Sequence, residues 1–497
     1  MPYSWRALSP TEQAQFDTGY AVFNTEFSPA GQPAGRVDGL GPIFNSQSCD
    51  SCHNSRRRGR GPRGDGEAPS DLVMQLGRLT SQGGVVRGNP DYGFVLNVTA
   101  VSGFRPEAHI SIAYQPRPVR LADGTTVELR EPRYRVDSVD GPKLAPDTVL
   151  MPRLPPLAQG DGMLERVPAE ELERVSHAQA TGPDGIHGLL AWVDTNTGNV
   201  PPAAVPDART RSRLRDVTHP LSADAATTAA GSRGTGGGTP RVLGRFGWQA
   251  SEPTVASQVA VAFAREMGLT NPLESLDDCA PSNAACEAAP SGGTPEVESE
   301  LFDAVVNFER WQAVPVPKQP EMTASGGWLF ESTGCAWCHQ PTLTIDVAKT
   351  PPTIAADKPP SATAASKTAL TAAADRTELA TVPDTAALGD RTQLATAADT
   401  VIHPFTDLLL HDMGQGLADR TIADAIAPSR WRTAPLWGMH AAAIVTSQPQ
   451  RYLHDGRART IEEAILWHDG EGRAARDRFA KLTADQRHAL TDWINIL

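Results

Sequence analysis

The chain opens with a helical pattern. Ser9-Pro10-Thr11-Glu12 is a capping-box sequence with proline at the first helical position. Apolar residues then recur at helical spacing, at Phe16, Tyr20, Val22, Phe23 and Phe27. This pattern predicts an N-terminal helix that buries one face.

Two internal segments show the same spacing. Residues 254–267 are predicted to form one helix and residues 298–312 another. The apolar face of the second helix contains Leu301, Val305 and Phe308. Each segment can bury this face against a neighbouring element.

The C-terminal region is the most regular part of the chain. Thr460-Ile-Glu-Glu463 is a second capping-box sequence. Counting from Ile461, the positions i+3, i+4 and i+7 are Ala464, Ile465 and His468. This spacing places His468 on the buried face of a short helix. A last helix is predicted to begin near Thr483 and to bury Leu490, Trp493, Ile494 and Leu497.

Between these helices the pattern changes. From about Gly84 to Arg135 the residues alternate and are often β-branched, and Asp123-Gly124 is a hairpin-turn signal. We therefore predict a β-containing insertion at about 84–230. Two stretches of biased composition, 200–240 and 345–400, predict a loop and a low-complexity insertion.

Composition and charge narrow the class of protein. With 497 residues, of which 40% are hydrophobic, the chain can form more than one core. Its formal charge of −13 would be repelled by nucleic-acid phosphates, so no nucleic-acid partner is expected. No apolar run approaches about 18 residues. Because no apolar leader precedes Trp5, we expect a mature exported protein without a membrane span.

Two copies of Cys-x-x-Cys-His carry most of the chemical information. They are Cys49-Asp-Ser-Cys52-His53 and Cys335-Ala-Trp-Cys338-His339. In this spacing both thiols can add to the vinyl groups of a haem, while the next imidazole ligates the iron. A thioredoxin-like pair, a zinc site or two local disulfides would not explain why histidine follows both times. The sequence therefore predicts two covalently bound haem c groups.

The two remaining cysteines point to the same compartment. Cys279 and Cys286 flank a short turn-like segment and are predicted to form a local disulfide. Disulfides and haem thioethers both form outside the cytosol. We therefore expect a periplasmic or secreted protein.

Together these patterns predict a mainly α protein with two cytochrome c-like haem domains. The first domain would comprise residues 1–320 and include the β-containing insertion at about 84–230. The second would comprise residues 321–497 and include the low-complexity insertion at about 345–400.

A basic run follows the first haem motif. It consists of Arg56, Arg57, Arg58, Arg60 and Arg63. The run is either a solvated loop or a source of partners for haem propionates, because guanidinium groups match carboxylate geometry.

Six further motifs stand along the chain: Gly41–Cys49, Gly244–Trp248, Asp407–Gly414, Trp431–Gly438, Tyr452–Arg457 and Glu462–His468. Together they resemble those of the bacterial di-haem oxidoreductases, relatives of di-haem cytochrome c peroxidase and of the methylamine-utilisation di-haem enzyme. The resemblance covers both haem segments and the C-terminal third, is weak over 84–230 and is absent over 345–400.

The resemblance implies roles for three residues of the first haem site. In the peroxidase a tryptophan lies between the haems, and a glutamine and then a glutamate follow it at intervals of about ten. Trp248 and Gln258 keep the first interval, and Glu266 stands eight positions beyond the glutamine. A carboxylate near the iron can move a proton between the two oxygens of hydrogen peroxide. The alternatives are an ordinary core tryptophan, a structural amide and a solvated carboxylate.

The resemblance also implies a second ligand for the C-terminal haem. His468 stands where the peroxidase has a methionine ligand, and bis-histidine ligation would lower the reduction potential of this haem. Met413 is the competing ligand and Met439 a more distant one. His187 is a weaker candidate ligand for the first haem.

The function that the resemblance implies is a peroxidase-like oxidoreductase. The haem with His53 would be the reactive centre, and the haem with His339 and His468 would pass electrons to it through Trp248. Hydrogen peroxide is the expected oxidant, a small cytochrome c or copper protein the expected donor, and calcium a further candidate cofactor. The alternatives are a di-haem electron-transfer protein without peroxide chemistry and an enzyme that oxidises an organic or protein substrate.

Overall fold

The computed structural model describes residues 2–31, 37–53, 58–68, 71–194, 241–277, 279–280, 282–315, 325–347, 401–428, 430–440 and 450–497. The predicted loop at 200–240 lies outside these residues, as do positions 348–400 of the low-complexity insertion. Arg56 and Arg57 of the basic run also lie outside them.

Helices form at all the predicted segments and at several shorter ones. Their bounds are α1 Pro10–Asn24, α2 Cys49–His53, α3 Asp161–Leu164, α4 Ala169–Ala180, α5 Val255–Glu266, α6 Ala284–Glu287, α7 Ser299–Trp311, α8 Ser325–Ser332, α9 Ile461–Trp467, α10 Arg473–Phe479 and α11 Ala484–Asn495. Single 3₁₀ turns occur at Pro183–Gly185, Cys335–Trp337 and Gly470–Gly472.

Strands are spread along the chain and most are short. Their bounds are β1 Ser28–Pro29, β2 Asp38–Leu40, β3 Ile43–Phe44, β4 Gly66–Glu67, β5 Val73–Leu79, β6 Val85–Arg87, β7 Thr99–Ala100, β8 Ala108–Arg120, β9 Thr126–Ser138, β10 Thr148–Arg153, β11 Trp192–Asp194, β12 Arg241–Leu243, β13 Leu343–Thr344, β14 Val401–Ile402, β15 Leu410–His411, β16 Arg420–Thr421 and β17 Trp431–Arg432.

The prediction of a mainly α protein is wrong. Helix accounts for 30% and strand for 21%, and many of the strands are short members of several small sheets. The error has a physical cause. A strand of two residues is too short to show alternation, and all six residues of β10 are buried, so this strand does not alternate either. The predicted domain boundary at 320 stays a prediction.

The hairpin predicted at Asp123-Gly124 is confirmed. Strands β8 and β9 pair antiparallel from Ala108 opposite Ser138 to Arg120 opposite Thr126. Gly124 at the tip has φ of 87°, a left-handed conformation that glycine adopts without strain. The hairpin tip reaches the C-terminal helices, where the Ala122 amide donates to Ala480 O over 3.0 Å.

A helix pair lies beside each cysteine motif. Helix α1 crosses α7 at Gly19, and helix α8 crosses α11 at Gly326. A Cβ at Gly19 would overlap the Ala304 carbonyl, and a Cβ at Gly326 would overlap the Trp493 side chain. Both crossings therefore depend on the absence of a side chain.

Aromatic side chains fill the space beside these crossings. The rings of Phe23 and Phe308 lie 5.5 Å apart at the first crossing, and those of Phe330 and Trp493 lie 5.1 Å apart at the second. Each helix pair thus presents an aromatic cluster to the neighbouring Cys-x-x-Cys-His segment.

The helix starts follow the capping sequences with one difference. Ser9 with Glu12 and Thr483 with Gln486 form complete capping boxes. At Thr460 the side chain accepts from the Glu463 amide, but the Glu463 carboxylate binds the Arg459 amide and guanidinium instead of closing the box.

One sheet joins the two ends of the chain. Its strand order is β16-β10-β5-β6, so a strand from the C-terminal third pairs with strands from the N-terminal half. Val149 lies opposite Thr421 and Leu150 opposite Arg420 in this pairing.

None of the helices in the described part of the chain has the length and apolar content that a membrane span requires.

Candidate functional site

The first Cys-x-x-Cys-His motif forms helix α2. Nδ1 of His53 donates to Pro156 O over 3.1 Å, which leaves the ring lone pair on Nε2. This tautomer is the one that an iron ligand of this kind requires. Phe23 packs against the imidazole at a ring distance of 6.1 Å.

The second motif repeats this arrangement at the other end of the chain. Nδ1 of His339 donates to Phe405 O over 3.0 Å, and Phe330 lies 6.4 Å from the imidazole. Burial, followed by the neighbouring His468, lowers the pKa of His339 to about 4. The imidazole is therefore neutral, as a metal ligand must be.

Each motif lines a large cavity. The first cavity contains the first motif together with the predicted residues Trp248, Gln258 and Glu266. These three residues are more than 190 positions from the motif in sequence, so the fold brings the predicted set together. The second cavity contains the second motif together with His468, Met413 and Met439.

Glu266 is the last residue of helix α5 and its carboxylate faces the first cavity. Asn45 Nδ2 donates to Glu266 Oε2 over 3.1 Å. Burial raises the pKa of Glu266 to about 7, although the Asn45 hydrogen bond opposes the rise. Near neutral pH the group therefore exists in both protonation states, which suits an acid–base catalyst.

A second carboxylate in this cavity was not predicted. Glu252 lines the first cavity, and burial raises its pKa to about 7 while Arg265 opposes the rise. Glu252 stands in a non-periodic loop four residues after Trp248. No motif or spacing in the sequence distinguishes it from a solvated loop residue.

Trp248 lines both cavities. Its Nε1 donates to Leu154 O over 2.7 Å, which fixes the plane of the indole. Among its other neighbours is His454, whose ring meets the indole edge to face at 6.4 Å. Trp248 is thus a shared wall between the two candidate haem sites.

His468 is the C-cap residue of helix α9 and directly follows its last residue, Trp467. Its Nδ1 donates to Ala464 O over 2.7 Å, so the lone pair is again on Nε2. Burial lowers the pKa of His468, so the imidazole is neutral. Met413 lies close to His468, since a Cβ at Gly472 would contact both side chains. The fold brings both candidate ligands to the cavity of the second motif.

Both cavities are lined by arginine side chains, which can pair with the propionates of a haem. Arg58 and Arg432 line both cavities. Nη1 of Arg432 is buried without a hydrogen-bond partner among the described residues, which fits a carboxylate supplied by a bound group. Arg60 instead pairs with Asp71 at 2.8 Å, and neither Arg60 nor Arg63 is among the residues that line the two cavities.

Two further predictions can be placed. The local disulfide between Cys279 and Cys286 is confirmed, with Cα atoms 5.7 Å apart. His187 is exposed and does not line the first cavity; its backbone amide donates to Glu471 Oε2 over 2.9 Å.

No calcium site can be assigned among the described residues. One group of metal-ligating side chains is found there, formed by Cys338, Asp407 and His411. Its sulfur and nitrogen atoms are not the all-oxygen ligands that calcium requires.

The comparison with protein families gives one match. The family model described as "Di-haem oxidoreductase, putative peroxidase" matches residues 4–68, 228–369 and 368–497, which is more than half of the chain. The chain belongs to this family. The resemblance recognised from the motifs is therefore confirmed, and the family name implies haem cofactors.

This di-haem oxidoreductase has no match among curated proteins and none among solved structures. The family match excludes residues 69–227, which contain strands β5–β11, including the long β8–β9 hairpin, and it includes 345–400, where the motifs show no resemblance. Both cysteine motifs and all the residues predicted for the two sites except His187 lie inside the matched ranges. The family assignment thus rests on the parts of the chain that contain the cysteine motifs, while some residues that line the first cavity, such as Arg87 and Arg153, lie outside the matched ranges.

Proposed function

We propose that this di-haem oxidoreductase is a periplasmic peroxidase-like enzyme with two covalently bound haem c groups. Electrons pass from the haem at the second motif to a reactive haem at the first. Hydrogen peroxide is the oxidant, and a small cytochrome c or copper protein is the electron donor. The observation that carries this proposal is the position of Trp248 in the walls of both cavities.

The residues of each cavity fit a haem c. Two thiols and one correctly oriented imidazole stand together in each motif, and the orphaned Arg432 Nη1 suits a propionate. Thioethers would fix the haem, and His53 and His339 would ligate the iron. When bound, the haem supplies an iron that binds peroxide and accepts electrons.

Glu266 performs the proton chemistry in this proposal. Reduction of peroxide to two waters consumes two electrons and two protons. The Glu266 carboxylate would accept a proton from one oxygen of hydrogen peroxide and return it to the other oxygen, which leaves as water. Its pKa of about 7 allows both steps near neutral pH. Asn45 holds the carboxylate in place through the 3.1 Å hydrogen bond.

In this proposal the donor protein supplies the electrons, and the residues of the second cavity and Trp248 would carry them to the first haem. The indole is held rigidly by Leu154 O, so its contact with both cavities does not depend on a mobile side chain. His339 and His468 are both neutral and line the same cavity. Ligation by both would favour oxidised iron more than histidine with methionine does, which suits a relay.

The test is the substitution Glu266→Gln in the haem-loaded protein. We expect peroxide-dependent oxidation of a reduced small cytochrome c to fall by about 10²–10⁴-fold, the range typical of a lost acid–base group. In the wild type, kcat/KM for peroxide should rise with pH through about 7, because the carboxylate must be deprotonated to accept a proton.

Glu252→Gln is the matched control, because it removes a second buried carboxylate from the same cavity. It should keep the activity and the pH profile. If Glu252→Gln abolishes the pH dependence of kcat/KM and Glu266→Gln keeps it, the acid–base catalyst is Glu252 and not Glu266. If the wild type has two low-spin haems that do not react with peroxide, the protein is an electron-transfer cytochrome and the peroxidase proposal fails.

A further inference from the structure

Two arginines in the wall of the first cavity have no role in the proposed mechanism. Arg87 is the last residue of strand β6, and Arg265 stands in the last turn of helix α5, next to Glu266. Both side chains are half-buried, and both line the first cavity but not the second. Strand β6 lies outside the residues that the family model matches, so the family match does not account for this part of the wall.

Neither guanidinium is paired with a carboxylate among the described residues. Arg87 Nη2 donates to Gln249 Oε1 over 2.8 Å, and the Arg265 guanidinium lies 4.1 Å over the ring of Phe94. A guanidinium carries five N–H donors, so most of the donors of both arginines remain for a ligand.

Arg87 keeps its positive charge in this position. Burial, followed by the positive charges of Arg153 and Arg265, lowers the pKa of Arg87 to about 10. The side chain is therefore cationic at neutral pH. The nearby carboxylate of Asp419 is compensated, because Arg153 donates to its two oxygens over 2.9 and 2.7 Å.

Two more carboxylates in the same cavity do not cancel the charge of the two arginines. Burial raises the pKa of Glu252 and that of Glu266 to about 7. Each group is therefore about half ionised at neutral pH, and together they carry about one negative charge. Arg87 and Arg265 carry one positive charge each, so an excess of positive charge remains for an anion.

The propionates of the haems have other candidate partners. Arg58 and Arg432 line both cavities, as Trp248 does, and so stand where the two haem sites meet. Arg87 and Arg265 line the first cavity alone. This position suits a carboxylate that enters the first cavity from solution.

Apolar side chains from the same two parts of the fold also line this cavity. Helix α5 contributes Val255, Val259 and Ala262, and strand β5, the neighbour of β6 in its sheet, contributes Val73. Such a surface can bind the carbon skeleton of a ligand. The cavity thus fits a molecule with an apolar body and one carboxylate.

We infer that the first cavity also accepts organic hydroperoxides that carry a carboxylate, and that Arg87 and Arg265 bind this carboxylate. The inference rests on the proposed function and adds a second class of oxidant to it. The O–O bond of the hydroperoxide breaks, two electrons from the donor protein and two protons are taken up, and an alcohol and one water are formed. Binding of the carboxylate holds the peroxide group in the cavity that contains Glu266.

The kinetic experiment compares cumene hydroperoxide with its para-carboxylate derivative, two oxidants that differ in one charged group. With the haem-loaded full chain, kcat/KM should be at least about tenfold higher for the carboxylate, as one charge-assisted hydrogen bond provides. Arg87→Gln should remove this preference, and Arg87→Lys, which keeps the charge, should retain part of it. The matched control is Arg78→Gln, at an exposed position of β5 outside both cavities, which should keep the full preference.

Binding is measured separately by calorimetric titration of the haem-loaded chain with para-isopropylbenzoate and with its uncharged amide, neither of which is a peroxide. The wild type should bind the carboxylate at least about tenfold more tightly than the amide. Arg87→Gln and Arg265→Gln should each reduce this difference. Equal affinities in the wild type would overturn the inference without any variant.

The outcomes separate this inference from the proposed function. If the wild type reduces neither hydrogen peroxide nor the two organic hydroperoxides, both fail. If it reduces hydrogen peroxide without preferring the carboxylate-bearing oxidant, this inference alone fails. It also fails if the preference persists in Arg87→Gln, and a lowered haem content or a shifted reduction potential in that variant would then assign Arg87 to a haem propionate.

Discussion

At the residue scale, the two motif histidines are oriented by carbonyls that are distant in sequence. His53 donates to Pro156 O and His339 donates to Phe405 O. The carbonyl acceptor fixes the tautomer and the ring plane, which is the usual way in which a protein prepares an imidazole ligand. His468 reaches the same state through a carbonyl of its own helix. All three imidazoles are thus prepared in the same chemical form.

We expect His468→Ala to remove the second axial ligand of the C-terminal haem. The spectrum of that haem should change from low-spin bis-histidine to high-spin or methionine-bound, because Met413 lines the same cavity. Optical and magnetic-resonance spectra of the oxidised protein would measure this change.

Met413→Leu is the matched control for that substitution. It removes the competing ligand and should leave the wild-type spectrum intact. An unchanged spectrum in His468→Ala, together with a changed one in Met413→Leu, would assign the ligand to Met413.

The sequence predicts the residues of these sites unequally. The cysteine motifs can be recognised from their spacing alone. Trp248 and Glu266 become candidate site residues only through the resemblance to the family. Glu252 and His411 carry no local signal, because their properties arise only when distant segments bury them. A buried carboxylate or imidazole looks the same in a sequence as a solvated one.

At the scale of elements, a pair of crossing helices lies beside each cysteine motif. At the closest point of each crossing the residue is a glycine, Gly19 or Gly326. The helices are predictable, because a period of 3.6 residues is visible over 12 or 13 residues in α5 and α7. The two-residue strands cannot be predicted in this way, because they are defined by their pairing with partners distant in sequence and show no local pattern.

Gly326→Ala should destabilise the crossing of α8 with α11. An added Cβ would overlap the Trp493 side chain and the Ala489 carbonyl, and a helix backbone cannot shift as easily as a flexible side chain. The cost should be about 1–3 kcal/mol in the free energy of unfolding. Chemical denaturation would measure it.

Gly64→Ala is the control for this substitution, because a Cβ there meets no atom within 4 Å. It should unfold like the wild type. Equal stability of Gly326→Ala and Gly64→Ala would contradict the close-packed crossing.

At the scale of the whole molecule, the N-terminal and C-terminal parts of the chain interlock. Strand β16 completes the sheet that contains β10, and Arg153 of β10 pairs with Asp419 at 2.7 Å just before β16. Arg153 also lies 4.7 Å over the Trp431 ring. This connection could not be predicted from sequence, because it joins segments that are more than 260 residues apart.

Asp419→Asn should weaken this connection strongly. Both partners are almost fully buried, so the substitution leaves an uncompensated guanidinium and should cost about 3–5 kcal/mol in the free energy of unfolding. Thermal unfolding of the haem-loaded protein would measure the change.

Asp137→Asn is the matched control, because its pair with Arg135 lies on the surface. We expect no measurable change from it. Similar unfolding temperatures for the two variants would show that the buried pair does not hold the sheet together.

The pairing of β16 with β10 also constrains the order of events during biosynthesis. Val149 and Leu150 emerge from the ribosome long before their partners Thr421 and Arg420 exist. Until then one edge of β10 has no neighbour within its sheet and offers unsatisfied amides to other chains. The growing polypeptide should therefore need protection, for example by a chaperone, until most of its length has been made.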